Sequence, residues 1–154
     1  MSSDVIYNYK KVDELVTTAG QPTEDQLKAA YAEGLGAVVN LATIDPRYSL
    51  PDERAFVKAQ GIDYYHLPVD FTQPTRADFQ AFCKLMDGLQ GKKVLIHCAA
   101  NYRVTAFYSL YAMAELNWTA AVADDFIASI WEPSEFEAWA NFIRDIRVDI
   151  GAKS

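Results

Sequence analysis

The sequence predicts an α/β protein: a mostly parallel central sheet of four to five strands with helices on both faces. Three observations carry that expectation. Two short apolar runs, Ala37-Val38-Val39-Asn40-Leu41 and Lys93-Val94-Leu95-Ile96-His97, have the length and β-branched content of strands buried on both sides. Segments of helical hydrophobic period lie between the strand-type runs. Strand-to-helix alternation of this kind implies parallel strands joined by helical crossovers.

The elements follow in order. Residues 1–11 are polar and aromatic and receive no assignment. Residues 15–19 read as a short strand ended by Gly20. After Pro22, Thr23-Glu24-Asp25-Gln26 is a capping box. It predicts a helix to about Glu33 with Leu27, Ala30 and Tyr31 inward. Residues 51–60 read as a helix with Pro at its start and Gly61 at its end. Residues 62–69, rich in β-branched and aromatic side chains, read as a strand. Residues 75–89 are helical, with Phe79, Phe82, Met86 and Leu89 on one stripe and Asp78 as a capping partner. Residues 103–116 are apolar nearly all round, which predicts a central helix, and 119–130 form another. Ser134-Glu135-Phe136-Glu137 reads as a second capping box, opening a helix with Phe136, Trp139, Ile143, Ile146 and Ile150 on its inner face.

The 154 residues suit a single domain spanning 1–154, with no repeat or linker. A formal charge of −7 argues against nucleic acid or an anionic membrane surface as a partner. No apolar run is long enough to span a bilayer. The start lacks the basic and apolar regions of a secretory signal, so a cytoplasmic setting is the expectation, although a chain whose signal had been removed would read the same. The two cysteines, Cys83 and Cys98, form no CxxC pair, and with only His66 and His97 beside them no His/Cys zinc cluster is expected. No metal and no cofactor is expected. Oligomeric state leaves no mark in the sequence.

The chemistry is concentrated in Val94-Leu95-Ile96-His97-Cys98-Ala99-Ala100-Asn101-Tyr102-Arg103-Val104-Thr105. A buried strand ends, a short loop follows, and a helix begins near the arginine. That order aims loop N–H groups and the positive end of a helix at one point. A cysteine there is favoured as its anion. An arginine at the far end of the loop can grip two oxygens with its planar fork. Taken alone, a strand-end cysteine is usually an inert core residue. The combination with loop, arginine and apolar helix points to nucleophilic attack on a tetrahedral centre.

The segment His97-Cys98 with Arg103 resembles the signature of the cysteine-dependent protein tyrosine and dual-specificity phosphatases. The wider pattern Ala19-Gly20-Gln21-Pro22, Val39-Asn40-Leu41, Tyr65-His66-Leu67-Pro68-Val69-Asp70 and His97-Cys98 is most similar to the bacterial phosphatase-like domain of beta-lactamase-hydrolase-like proteins and its stand-alone relatives. The resemblance covers about residues 15–116. It implies a protein-tyrosine-phosphatase-like fold and hydrolysis of phosphate monoesters, with a small phosphorylated molecule or a phosphoprotein as substrate. Cys98 matches the nucleophile that forms a cysteinyl-phosphate. Arg103 matches the arginine that binds phosphate and stabilises the transition state, and His97 the histidine that supports the loop and the thiolate. Ala99, Ala100, Asn101 and Tyr102 match the residues whose backbone N–H groups bind the substrate. Asp70, 28 positions before Cys98, is placed like the aspartate that protonates the leaving oxygen. An ordinary turn at Asp70-Phe71-Thr72 is the plainer reading of the same residues.

The chain departs from the pattern in the loop. Four residues separate Cys98 from Arg103 where the family has five; none is glycine, and Val104 rather than Ser or Thr follows the arginine. Either the loop is one residue shorter, with Asn101 taking the left-handed turn that glycine usually supplies, or Val104 occupies the arginine place and Arg103 points elsewhere. The first is preferred, since valine cannot bind phosphate. A shorter ring also suits a single sulfane sulfur, and rhodanese-type sulfurtransferases resemble this chain in having so short a loop. Persulfide transfer through Cys98 is therefore the second reading, and a silent phosphate-binding module the third. Tyr102 either lines the pocket mouth or blocks it. His66 reads as a satisfied strand histidine, Cys83 as core, and Trp118, Trp131 and Trp139 as packing residues.

Overall fold

The computed structural model describes residues 3–151. Five strands form one sheet in the order β1-β2-β5-β3-β4. They are β1 (Lys10–Lys11), β2 (Val16–Ala19), β3 (Ala37–Asn40), β4 (Asp63–His66) and β5 (Val94–His97). Only β1, paired with β2, runs antiparallel. The helices are α1 (Glu24–Ala32), α2 (Glu53–Ala59), α3 (Arg76–Gly88), α4 (Tyr102–Glu115), α5 (Ala120–Ala128) and α6 (Glu137–Asp149).

The side-chain alternation of a strand divides the interior into two cores. Val38 and Leu95 face one side and pack with Leu27 and Ala30 of α1 and Val57 of α2. Ala37, Val39, Val94 and Ile96 face the other and meet α3, α4, α5 and α6. The crossovers β2-α1-β3 and β3-α2-β4 run one way along the sheet, and β4-α3-β5 runs back, with its helix on the opposite face. Right-handed connections require that switch. It leaves β5 in the middle of the sheet, beside the point where the direction of the connections reverses.

Sequence patterning accounts for most of these elements. The capping box at Thr23 forms as expected, and Asp78, the expected capping partner, completes a further box with Thr75; each N-cap hydroxyl accepts from the N3 amide (3.1 Å in both). Helix α4 is buried along most of its length, as its uniform apolarity requires. Three expectations are corrected. Tyr31 faces solvent at 50% exposure, because Leu27 and Ala30 already fill the narrow inner face of α1. Ser134 is no N-cap: Glu132 accepts its amide and hydroxyl, which curls 133–135 into a 3-10 turn and starts α6 after Phe136. The strand expected over 62–69 stops at His66, two residues before Pro68, yet the Leu67 and Val69 amides still bond to the Asn40 and Leu41 carbonyls (2.9 Å each). Within the unassigned 1–11, the first two residues lie outside the described chain; a 3-10 turn and β1 follow.

Candidate active site

The carboxyl ends of the three central strands lie in one row. Ala19 of β2 and Asn40 of β3 both stand opposite His97 of β5. Cys98 follows His97 and is buried, its amide bonded to the Ala19 carbonyl (3.3 Å).

The loop after Cys98 is held from outside by its carbonyls. His97 Nδ1 lies 3.2 Å from the Cys98 carbonyl, the Gln21 amide donates to the Ala99 carbonyl (2.9 Å), and Asn8 Nδ2 donates to the Ala100 carbonyl (2.9 Å). No peptide in the described chain is cis. In a trans peptide the N–H points opposite to the C=O of the preceding residue, so the Ala99 and Ala100 N–H groups are turned away from the contacts on the Cys98 and Ala99 carbonyls. Tyr102 and Arg103 open α4, and first-turn N–H groups have no partner within their own helix.

Asn101 is the corner. It is fully buried and left-handed (φ 68°, ψ 11°), the conformation the glycine-free loop called for. Its Nδ2 donates to the Asn8 carbonyl (2.9 Å) and to Thr18 Oγ1 (3.0 Å). Gly20 fits here because a Cβ would stand 2.7 Å from the Ala99 carbonyl oxygen.

Arg103 is 5% exposed, whereas Val104 is sealed in the apolar core. One guanidinium N–H donates to the Val69 carbonyl (2.9 Å), and the group lies 5.8 Å from the Phe71 ring centre. Its Nε is buried without an acceptor, and among the described residues no carboxylate forms an ion pair with it. Tyr102 is half-buried and stacks flat on Trp131 (4.7 Å, 4°), with Phe71 and Phe136 beside it.

Asp70 is exposed and turns back on its own loop, its Oδ1 accepting from the Thr72 hydroxyl (2.7 Å) and amide (2.9 Å). The Thr72 hydrogen bonds, with a smaller contribution from the Arg103 charge, hold this carboxyl below its ordinary value. The turn reading of Asp70-Phe71-Thr72 thus describes its conformation.

His97 is fully buried and its Nε2 donates to Glu53 Oε2 (2.8 Å). Glu53 also accepts from Gln21 Nε2 (2.7 Å) and, at 3.4 Å, from Asn40 Nδ2, which in turn reaches the Tyr64 hydroxyl (3.0 Å). Burial pushes the Glu53 carboxyl up; the hydrogen bond and charge of His97, helped by Gln21 and Tyr64, outweigh it and hold the group below its ordinary value. A cleft of about 480 Å³ lined by Ile44, Leu50, Pro51, Glu53, Tyr64 and His66 opens beyond this cluster, and no residue from Cys98 to Arg103 lines it. Sequence reasoning missed Glu53 and Asn8. An acidic residue just after Pro51-Asp52 has the pattern of a solvated helix start, and nothing around Asn8 has a period.

The fold is that of the protein-tyrosine-phosphatase-like phosphatases. Over 94% of this chain and 91% of the other, the structure superposes with a TM-score of 0.85 and 29% identity on a phosphatase candidate of the DUF442 group from Shewanella putrefaciens. TpbA of P. aeruginosa, solved in complex with pTyr, shares the fold at 12% identity (TM-score 0.75; 98% of this chain, 93% of that one). Among named proteins the chain is similar to the beta-lactamase hydrolase-like protein of Xylella fastidiosa, 29% identical over 102 residues, which are 64% of this chain and 23% of that protein. The chain thus spans about a quarter of the curated relatives it matches. No family model matches it. No helix among the described residues is long and apolar enough to cross a membrane.

Proposed function

We propose that the chain is a cysteine-dependent phosphatase acting on phosphate monoesters. The observation that supports this most is Arg103. A guanidinium buried to 5% exposure, with an unpartnered Nε and only a neutral carbonyl as acceptor, is costly unless an anion completes it. An oxyanion at the turn from β5 to α4 supplies that partner and is met by the inward peptide N–H groups. The Cys98 thiolate attacks phosphorus, the P–O bond to the leaving group breaks, and Asp70 protonates the departing oxygen. Water, giving its proton to Asp70, then displaces the thiolate from the cysteinyl-phosphate and releases inorganic phosphate. For the acid step Asp70 leaves its turn with Thr72. Phe71 against the arginine, with Tyr102 and Phe136 packed on it, favours an aryl ester, the class to which the pTyr seen in TpbA belongs.

The test is turnover of aryl phosphates between about pH 5 and 7. Wild-type protein is expected to release phosphate, Cys98→Ser to abolish release, and Arg103→Lys to lower kcat/KM at least about 100-fold, since lysine cannot present two parallel donors. A wild type silent on several aryl phosphates overturns the proposal.

The four-residue loop supports a second reading, persulfide transfer. Here the Cys98 thiolate takes the outer sulfur of thiosulfate, forming a persulfide and releasing sulfite. Intact-mass measurement decides it: one added sulfur, lost in Cys98→Ser, supports the transfer, and an unchanged mass removes it. Phosphate binding without either turnover is the signature of a silent binding module.

A further inference from the structure

Glu53 has no place in the reaction just described, yet it is the most connected buried charge near the nucleophile. It is 6% exposed and accepts from Gln21, Asn40 and His97. Two of those donors reach the nucleophile's loop directly. His97 touches the Cys98 carbonyl, and the Gln21 amide holds the Ala99 carbonyl. The two peptides at the foot of the loop are therefore tied to one carboxylate.

The histidine contacts also define a charge arrangement. Nε2 faces a carboxylate and Nδ1 a carbonyl, and both groups only accept. Both contacts are hydrogen bonds when each nitrogen carries hydrogen, which is the imidazolium. Glu53 and His97 then form a buried ion pair whose positive end stands against the Cys98 residue and whose negative end lies one imidazole ring further away. In a buried setting such an oriented pair favours a negative charge on sulfur. Charged or titratable groups near it include Tyr64, His66 and Asp52, which line the cleft beside Glu53, and Arg54 against the Tyr64 ring (5.2 Å).

We infer that Glu53 is a positioning residue for the nucleophile: through His97 and Gln21 it sets the loop geometry and keeps the positive end of a buried ion pair at Cys98. This rests on the reading of Cys98 as a reactive thiolate. A purely structural ion pair would leave the ionisation of Cys98 where it was.

The experiment is a pH titration of the thiolate ultraviolet band, taken as wild type minus Cys98→Ser. It needs neither substrate nor access of a reagent to the buried sulfur. Glu53→Gln keeps the shape of the side chain and removes the charge; it is expected to raise the Cys98 midpoint by about one pH unit or more. It should also lower kcat at least about tenfold with little change in KM. Glu53→Asp, which keeps the charge at a shorter reach, should fall between the two and carries the test if Glu53→Gln does not fold. Combining Glu53→Gln with His97→Asn should add little to His97→Asn alone, since the effect runs through the ring. A low wild-type midpoint that neither Glu53 variant moves overturns the inference and leaves the phosphatase reading standing. An ordinary wild-type midpoint overturns the thiolate, and both fall with it.

Discussion

Thr72 grips Asp70 with both its amide and its hydroxyl, and each bond favours the ionised carboxyl. An acid held below its ordinary value gives up its proton early. The acid form that protonates a leaving oxygen is therefore lost as pH rises through that lowered value. The falling limb of a kcat/KM profile should lie correspondingly low. Thr72→Val removes the hydroxyl donor and should raise the Asp70 value, moving the falling limb to higher pH; a pH–rate profile on an aryl phosphate reads the shift. Legibility at this scale is uneven. The left-handed turn at Asn101 could be expected because a loop without glycine has few residues able to take positive φ. The acceptor role of Glu53 could not, because it depends on Gln21, Asn40 and His97 meeting from separate strand ends, and no spacing along the chain encodes that meeting.

Helix α4 carries the arginine at one end and the centre of the larger core along its body. Phe107 sits among Phe79, Phe82, Trp139 and Phe142, with ring centres 5.5 to 5.9 Å away. Phe107→Ala should cost about 3–5 kcal/mol of stability, visible as a lower urea midpoint with an unchanged slope. Elements were legible where period and caps agreed, as in α1 and α3. They were misread where a neighbour outside the window intervened. Glu132 captured Ser134 before it could cap α6, so Phe136 left the helix stripe and joined the aromatic cluster around Tyr102. The segment before β1 showed no period at all, yet its Asn8 holds the Ala100 carbonyl.

At the scale of the whole molecule, acid sensitivity should trace to Glu53, the one carboxylate among the described residues that is both buried and lowered. Its folded value lies below the unfolded one, so the unfolded chain binds more protons over that window. The stabilisation is complete above the ordinary carboxylate range and is lost as pH falls through the folded value. Urea midpoints should therefore drop between about pH 6 and pH 3. In Glu53→Gln they should start lower and change less over the same range. The lowered exposed carboxyls, such as Asp149 beside Arg76, add little, being screened by solvent. The sheet order itself was not written in any local pattern. Parallel strands and helices on both faces followed from alternation, whereas the insertion of β5 between β2 and β3 is a property of the return crossover.

The flat stack of Tyr102 on Trp131 gives the loop an optical reporter of its own. Trp131 is pinned by its indole N–H to Thr105 (2.9 Å), while Tyr102 belongs to the segment that meets an incoming anion. Occupancy that tilts one ring against the other changes the quenching of the indole. Emission from the unlabelled protein can then follow phosphate, sulfate or a persulfide donor onto the loop, before any bond is made.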